Sequence, residues 1–288
     1  MARADDRTPD GGLRSQVKPT FMAPALGMSA FGGLLSPTFA PGVAAVHALA
    51  VGAALYTAHL VDEYVDAYVR EEEPPAVAER TVERAIVGAS VGCLAFAGVL
   101  AAGGRWAAAA SALALWVLAV LHAPVLDRNT VAVTADYPVG IAIALGGGYL
   151  AQQSALPAGV VGIAAVFVVT LAAVKVSIDR LDREFDRTID KRTVPVVLGE
   201  RRATRVSAGL FLLAAGLVGA LVAEAVLADG ALVSVPVLVG GAVVALDDSA
   251  SQAVTRQMLL VYPLAAVLFV SECLAAGCVV ATVLSAGL

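Results

Sequence analysis

The sequence predicts an all-α, polytopic membrane protein of about nine transmembrane helices. Three observations carry this. Of 288 residues, 59% are hydrophobic and 15% charged, with mean hydropathy +0.83, well above the apolar share of a soluble domain. Runs rich in Ala, Val, Leu and Gly recur at about the length a bilayer needs. The basic residues are confined to alternate loops, as the positive-inside rule requires.

Residues 1–17 are polar and mixed in charge, with no early apolar core, so no cleavable signal peptide is expected. Residues 1–20 read as a disordered tail, and 21–288 as one transmembrane domain. Hydropathy places the spans at 21–38, 43–61, 84–103, 106–126, 131–151, 157–176, 206–228, 230–246 and 258–284. Breakers mark several joins: Pro37 and Pro41, Gly103 and Gly104, and Pro157. With the N-terminus inside, every Lys and Arg except Arg105 falls on the inner side. This predicts an integral protein of the cell membrane with its N-terminus and its charged loops in the cytoplasm. The two long charged loops, 62–83 and 177–205, both lie there, so the polar chemistry is expected at that face.

Other residues point nowhere specific. Cys93, Cys273 and Cys278 lie in apolar stretches without metal-ligand spacing and are expected to be buried thiols. His47 reads as a packing residue, whereas His59 and His122 lie near helix ends that also carry carboxylates. The net charge of −5 gives no reason to expect a nucleic-acid partner.

The chain is organised around Lys175 to Gly199, KVSIDRLDREFDRTIDKRTVPVVLG. Asp179, Asp182, Asp186 and Asp190 are spaced by three, four and four, which puts four carboxylates on one helical face. Arg180, Arg183, Arg187 and Lys191 follow them by one residue and on a continuous helix point about 100° away. Such a stripe is either a solvated, salt-bridged surface or the oxygen-rich site that Mg²⁺ selects. A second cluster, Asp62, Glu63 and Asp66, closes the second span on the same side. Ionisable groups at the membrane boundary are expensive and tend to be functional.

These motifs resemble the UbiA superfamily of intramembrane prenyltransferases. Asp179, Asp182 and Asp186 match its D-x-x-D-x-x-x-D motif, and Thr193, Pro195, Leu198 and Gly199 match the T-x-P-x-x-L-G that follows. Lys18-Pro19 resembles the basic-Pro pair that often opens these proteins. The first motif departs from N-D-x-x-D-x-x-x-D, with Asp62 for Asn, Glu63 for Asp and Arg70 for the last Asp. His122 and Asp127 stand where many members carry Tyr and Lys.

The resemblance implies a UbiA-like bundle and Mg²⁺-dependent transfer of a prenyl group from an isoprenyl diphosphate to a lipophilic acceptor within the membrane. That acceptor would be a quinone precursor, a lipid or a carotenoid. It implies Asp62, Glu63, Asp66, Asp179, Asp182 and Asp186 as metal ligands, with Asp66 and Asp182 central to catalysis. Lys175, Arg128, Arg70 and Lys18 would contact the diphosphate. Two other readings stand beside it: a degenerate member binding a lipid or partner without catalysis, and a cation-coupled transporter. The transporter would need acids near mid-membrane, where Asp136 and Glu272 are the candidates.

Overall fold

The computed structural model describes residues 12–189 and 191–286. Much of the expected tail, and Asp190 of the carboxylate stripe, lie outside the described residues. Residues 12–16 form a short 3-10 turn.

The bundle begins with α1 (Pro19–Leu34), started by a proline at its first position, where no amide hydrogen is required. Then come α2 (Pro41–Tyr64), α3 (Glu79–Ala102) and α4 (Trp106–Val125). α5 (Thr130–Gln152) is capped by Asn129, whose Oδ1 accepts from the amides of Val131 and Ala132 at 2.9 and 3.1 Å. α6 (Ala158–Thr188) is followed by the five-residue α7 (Val194–Leu198) and by α8 (Glu200–Ala223). α9 (Val235–Ala245), α10 (Ala250–Ala276) and α11 (Val279–Ala286) complete the chain. Seven of these helices are long and apolar enough to cross a membrane; α1 and α9 are shorter and occupy the other expected spans.

Two boundaries differ from the hydropathy reading in instructive ways. The sixth span was expected to end at 176, but α6 continues to Thr188 as 31 residues. Its polar extension stays helical with Asp179, Arg180 and Asp186 buried against the bundle and Leu181 and Phe185 exposed. The last span was expected to run unbroken over 258–284. Instead α10 starts at Ala250 and ends at Gly277, whose left-handed φ of 70° turns the chain into α11. That turn brings Cys273 and Cys278 to a Cα separation of 4.8 Å, and the two form a disulfide. Only Cys93 of the three remains the buried thiol expected.

The core is made by close approach of small residues. A Cβ on Gly148 of α5 would lie 2.0 Å from the Ser29 carbonyl oxygen of α1, and one on Gly32 would lie 1.9 Å from that of Leu145. His47 is fully buried beside this contact, its Nδ1 2.8 Å from Ser29 Oγ and its Nε2 3.3 Å from Ser111 Oγ, which fits a packing role. Gly148→Ala is therefore expected to cost at least about 1–3 kcal/mol, read as a fall in the detergent-solubilised melting temperature. Gly92→Ala, with no atom within 4 Å of the added Cβ, should leave it unchanged or raise it. Equal melting temperatures for both variants would contradict the α1–α5 packing.

Candidate active site

One end of the bundle gathers the charges. Gln16 reaches Glu63, Arg70 reaches the Ala123 carbonyl, Lys191 reaches Asp127, and Arg180 reaches the carbonyls of Asp247 and Asp248. Beneath this end lies a cavity of about 360 Å³ between α1, α2, α4, α5 and α6. Its deep wall is apolar, with Ala25, Leu115, Ile141, Leu171 and Val174 among its residues. Its mouth carries Lys18, Asp62, His122, Asp127, Asp136, Lys175, Asp179, Asp182, Asp186 and Lys191. A charged mouth over a chamber with an apolar wall suits a ligand with an anionic head and an apolar tail.

The α6 side is built by the helix itself. Asp179, Asp182 and Asp186 all face the cavity, as their spacing predicts. Asp179 is buried and ion-paired with Lys175 one turn earlier, while its Oδ2 is buried without a hydrogen-bond partner. Asp186 accepts from Thr193 Oγ1 at 2.9 Å. This gives the T-x-P-x-x-L-G segment a physical purpose. Thr193 ties the loop to the helix, Pro195 opens α7, and Gly199 adopts the φ of 79° that joins α7 to α8. Asp182 is exposed to the cavity and makes no ion pair or side-chain hydrogen bond with the other described residues.

The α2 side differs from the sequence reading. Asp62 lines the cavity, with Lys18 at 3.6 Å. Glu63 points elsewhere: its carboxylate accepts from the amides of Ala76 and Val77 at 2.7 and 3.3 Å and from Gln16 Nε2 at 2.9 Å. It pins the loop after α2 and is not positioned as a metal ligand. Asp66 does not line the cavity either. Beyond Tyr64 the helix widens into a π turn over Val65–Val69, so the three-and-four spacing no longer keeps one face. Asp66 there meets Arg70 at 3.3 Å. Arg70 is itself committed, to the Ala123 carbonyl, to Glu72 at 3.9 Å and to Asp127 at 3.6 Å. Arg128 is exposed and does not line the cavity. Of the four cations Lys175, Arg128, Arg70 and Lys18, Lys18 and Lys175 line the cavity.

The cation missed is Lys191. On a continuous helix it would face away, but α6 ends at Thr188 and the chain folds back over the mouth. Its ammonium sits 3.3 Å from Asp127, a carboxylate only 1% exposed. Burial opposes the Lys191 charge, yet Asp127, Asp62 and Asp186 outweigh it and hold the group above the ordinary lysine range. Burial pushes Glu72 above the ordinary glutamate range. His122 and Asp136 form the other unforeseen element, with Nδ1 2.5 Å from the carboxylate.

The profile of the UbiA prenyltransferase family matches residues 18–264. The chain belongs to the UbiA prenyltransferase family. Solved structures of UbiA proteins share the fold at low identity. A UbiA homolog from Archaeoglobus fulgidus bound to GPP and Mg²⁺ is 14% identical, covering 90% of this chain and 97% of that one, with TM-score 0.67. An apo UbiA homolog from Aeropyrum pernix K1 is 17% identical over 90% and 99%, with TM-score 0.68. A structure of digeranylgeranylglyceryl phosphate synthase is 12% identical over 86% and 92%, with TM-score 0.67. A search of curated protein sequences finds no match. Within the UbiA family pattern, the second Asp motif stands complete at the cavity mouth. Of the first, Asp62 lines the cavity and Glu63 and Asp66 do not, and Asp127 paired with Lys191 lies at the same mouth.

Proposed function

We propose that this protein transfers a prenyl group from an isoprenyl diphosphate to a lipophilic acceptor inside the membrane. The observation that carries the proposal is the joining of Asp62, Asp179, Asp182 and Asp186 with Lys18, Lys175 and Lys191 at the mouth of one apolar chamber. The donor set fits a divalent cation: oxygen ligands, one of them a buried carboxylate oxygen lacking a hydrogen-bond partner on Asp179. Mg²⁺ bound by the α6 carboxylates would neutralise charge developing on the leaving diphosphate. Lys175 and Lys191 would donate charge-assisted hydrogen bonds to the phosphate oxygens, and Lys18 stands beside them. As the allylic C–O bond breaks, its electron pair leaves with the diphosphate. The acceptor nucleophile bonds to the allylic carbon and gives up its proton to the released diphosphate. Leu115, Ile141 and Leu171 keep water from the allylic carbon during that exchange.

The positive-inside asymmetry supports a cytoplasmic mouth in the cell membrane. Acceptors with a quinone-precursor, lipid or carotenoid skeleton all suit an apolar chamber of this kind. The test needs no acceptor: the detergent-solubilised protein is titrated with geranylgeranyl diphosphate in Mg²⁺ and in EDTA. Saturable binding lost in EDTA is expected, and metal-independent or absent binding would sink the proposal. Arg105→Ala, where the guanidinium meets the Gln152 carbonyl at 3.3 Å far from the mouth, should leave that binding within about twofold. A larger loss in a folded variant would contradict the placement of the site.

A further inference from the structure

The α2 side of the mouth keeps Asp62 but not Glu63 or Asp66 of the carboxylates expected there, and it carries a different set of donors. Asp62, His122 and Asp127 each present one ligand atom, and these atoms lie within 4.8 Å of one another. They come from three places: the end of α2, the last turn of α4 and the 3-10 turn after it. We infer that these three residues form a mixed nitrogen–oxygen divalent-cation site, distinct in chemistry from the all-carboxylate face of α6, that selects Mn²⁺ or a similar transition ion over Mg²⁺. The inference rests on the reading above that a divalent cation works at this mouth.

Two independent observations point to a ligand. Asp127 is 2% exposed, and both of its ion pairs, to Arg70 and Lys191, use Oδ2. Its Oδ1 is buried with neither an ion pair nor a hydrogen bond. A buried carboxylate oxygen without a partner is costly unless something binds it. The second observation is the orientation of His122. Asp136 accepts at 2.5 Å from Nδ1, which fixes that nitrogen as the protonated one. Nε2 faces Asp62 Oδ1 at 3.8 Å, where release of its proton to an incoming cation would make it a ligand. A carboxylate behind a histidine that faces a donor cluster is the arrangement that holds metal-ligating imidazoles. Asp136 is itself 5% exposed, and its Oδ1 accepts from the Tyr137 amide at 2.5 Å, which orients the carboxylate.

Selectivity follows from the donors. Mg²⁺ prefers oxygen and sheds water reluctantly, whereas imidazole favours first-row transition ions. Asp136 is a positioning residue: by holding Nδ1 it turns Nε2 toward Asp62 and Asp127.

The test uses the full-length protein in detergent with Mn²⁺ and no prenyl diphosphate. Pulsed EPR of bound Mn²⁺ should show a ¹⁴N coupling that becomes a ¹⁵N coupling when histidine is ¹⁵N-labelled, a readout that needs no variant. His122→Gln should remove the coupling and weaken Mn²⁺ binding at least tenfold, with Mg²⁺ binding at the α6 carboxylates unchanged. Asp136→Asn should keep the coupling but weaken Mn²⁺ binding by roughly 10–100-fold. Bound Mn²⁺ without histidine coupling would overturn the inference, leaving His122 a partner of Asp62 and Asp136. Coupling that survives in His122→Gln would overturn it as well. Nitrogen-ligated Mn²⁺ together with failed diphosphate binding would sink the proposed function and leave this site standing.

Discussion

Asp182→Ala is expected to reduce Mg²⁺-dependent prenyl diphosphate binding by more than about 100-fold, a loss at or beyond the range seen for changes in the outer shell of a metal ligand. Asp182 suits this test better than its neighbours. Asp179 is tied to Lys175 and Asp186 to Thr193, so removing either also frees a buried group or loosens the loop to α7. Asp182 faces the cavity, is exposed, and makes no ion pair or side-chain hydrogen bond with the other described residues. Its removal should therefore leave the fold intact, and the melting temperature without ligand should match the parent. The conservative Asp182→Asn keeps size and polarity and loses the charge. It should fail nearly as completely, because a neutral amide is a poor ligand for a hard cation. Should Asp182→Asn retain parental affinity, electrostatic neutralisation by metal at α6 is not how this mouth holds its ligand.

The α6 half of the site was legible because it is local. Asp179, Asp182 and Asp186 need only a helix to converge, and their spacing specifies one. The α2 half was not, for reasons that are equally physical. Glu63 has the right charge at the right distance in sequence, but the backbone amides of Ala76 and Val77 claim it, and nothing in residues 62–66 announces that loop. The π turn at Val65 undoes the face on which Asp66 was counted. Asp127 looked like a reversed charge where the resemblance led one to expect a lysine. The structure resolves it as one half of a pair whose cation, Lys191, arrives from 64 positions later in the chain. Spans were legible from hydropathy throughout the bundle. The breaks at Thr188 and Gly277 were not, since the residues beyond each are polar enough or apolar enough to continue the preceding pattern.

Lys191→Met is expected to weaken diphosphate binding by roughly 10–150-fold, the value of one charge-assisted hydrogen bond of about 1.5–3 kcal/mol. Divalent-cation affinity should be unchanged or higher. The opposite directions follow from what Lys191 touches. Its ammonium lies at the mouth, held charged by Asp127, Asp62 and Asp186, where an anionic head would enter. It also shares Asp127 Oδ2 with Arg70, so it competes with any cation drawn to that carboxylate. Removing it subtracts a donor from the anion and a rival from the metal. Arg70 stays beside Asp127 at 3.6 Å, so the buried carboxylate keeps one neutralising partner and the variant should fold. Lys191→Arg should recover part of the lost affinity, because it restores the charge at a different reach. A purely structural lysine would instead lower both affinities together with the melting temperature. That pattern in calorimetric titrations of Lys191→Met with Mn²⁺, and then with geranylgeranyl diphosphate, would remove Lys191 from the binding site.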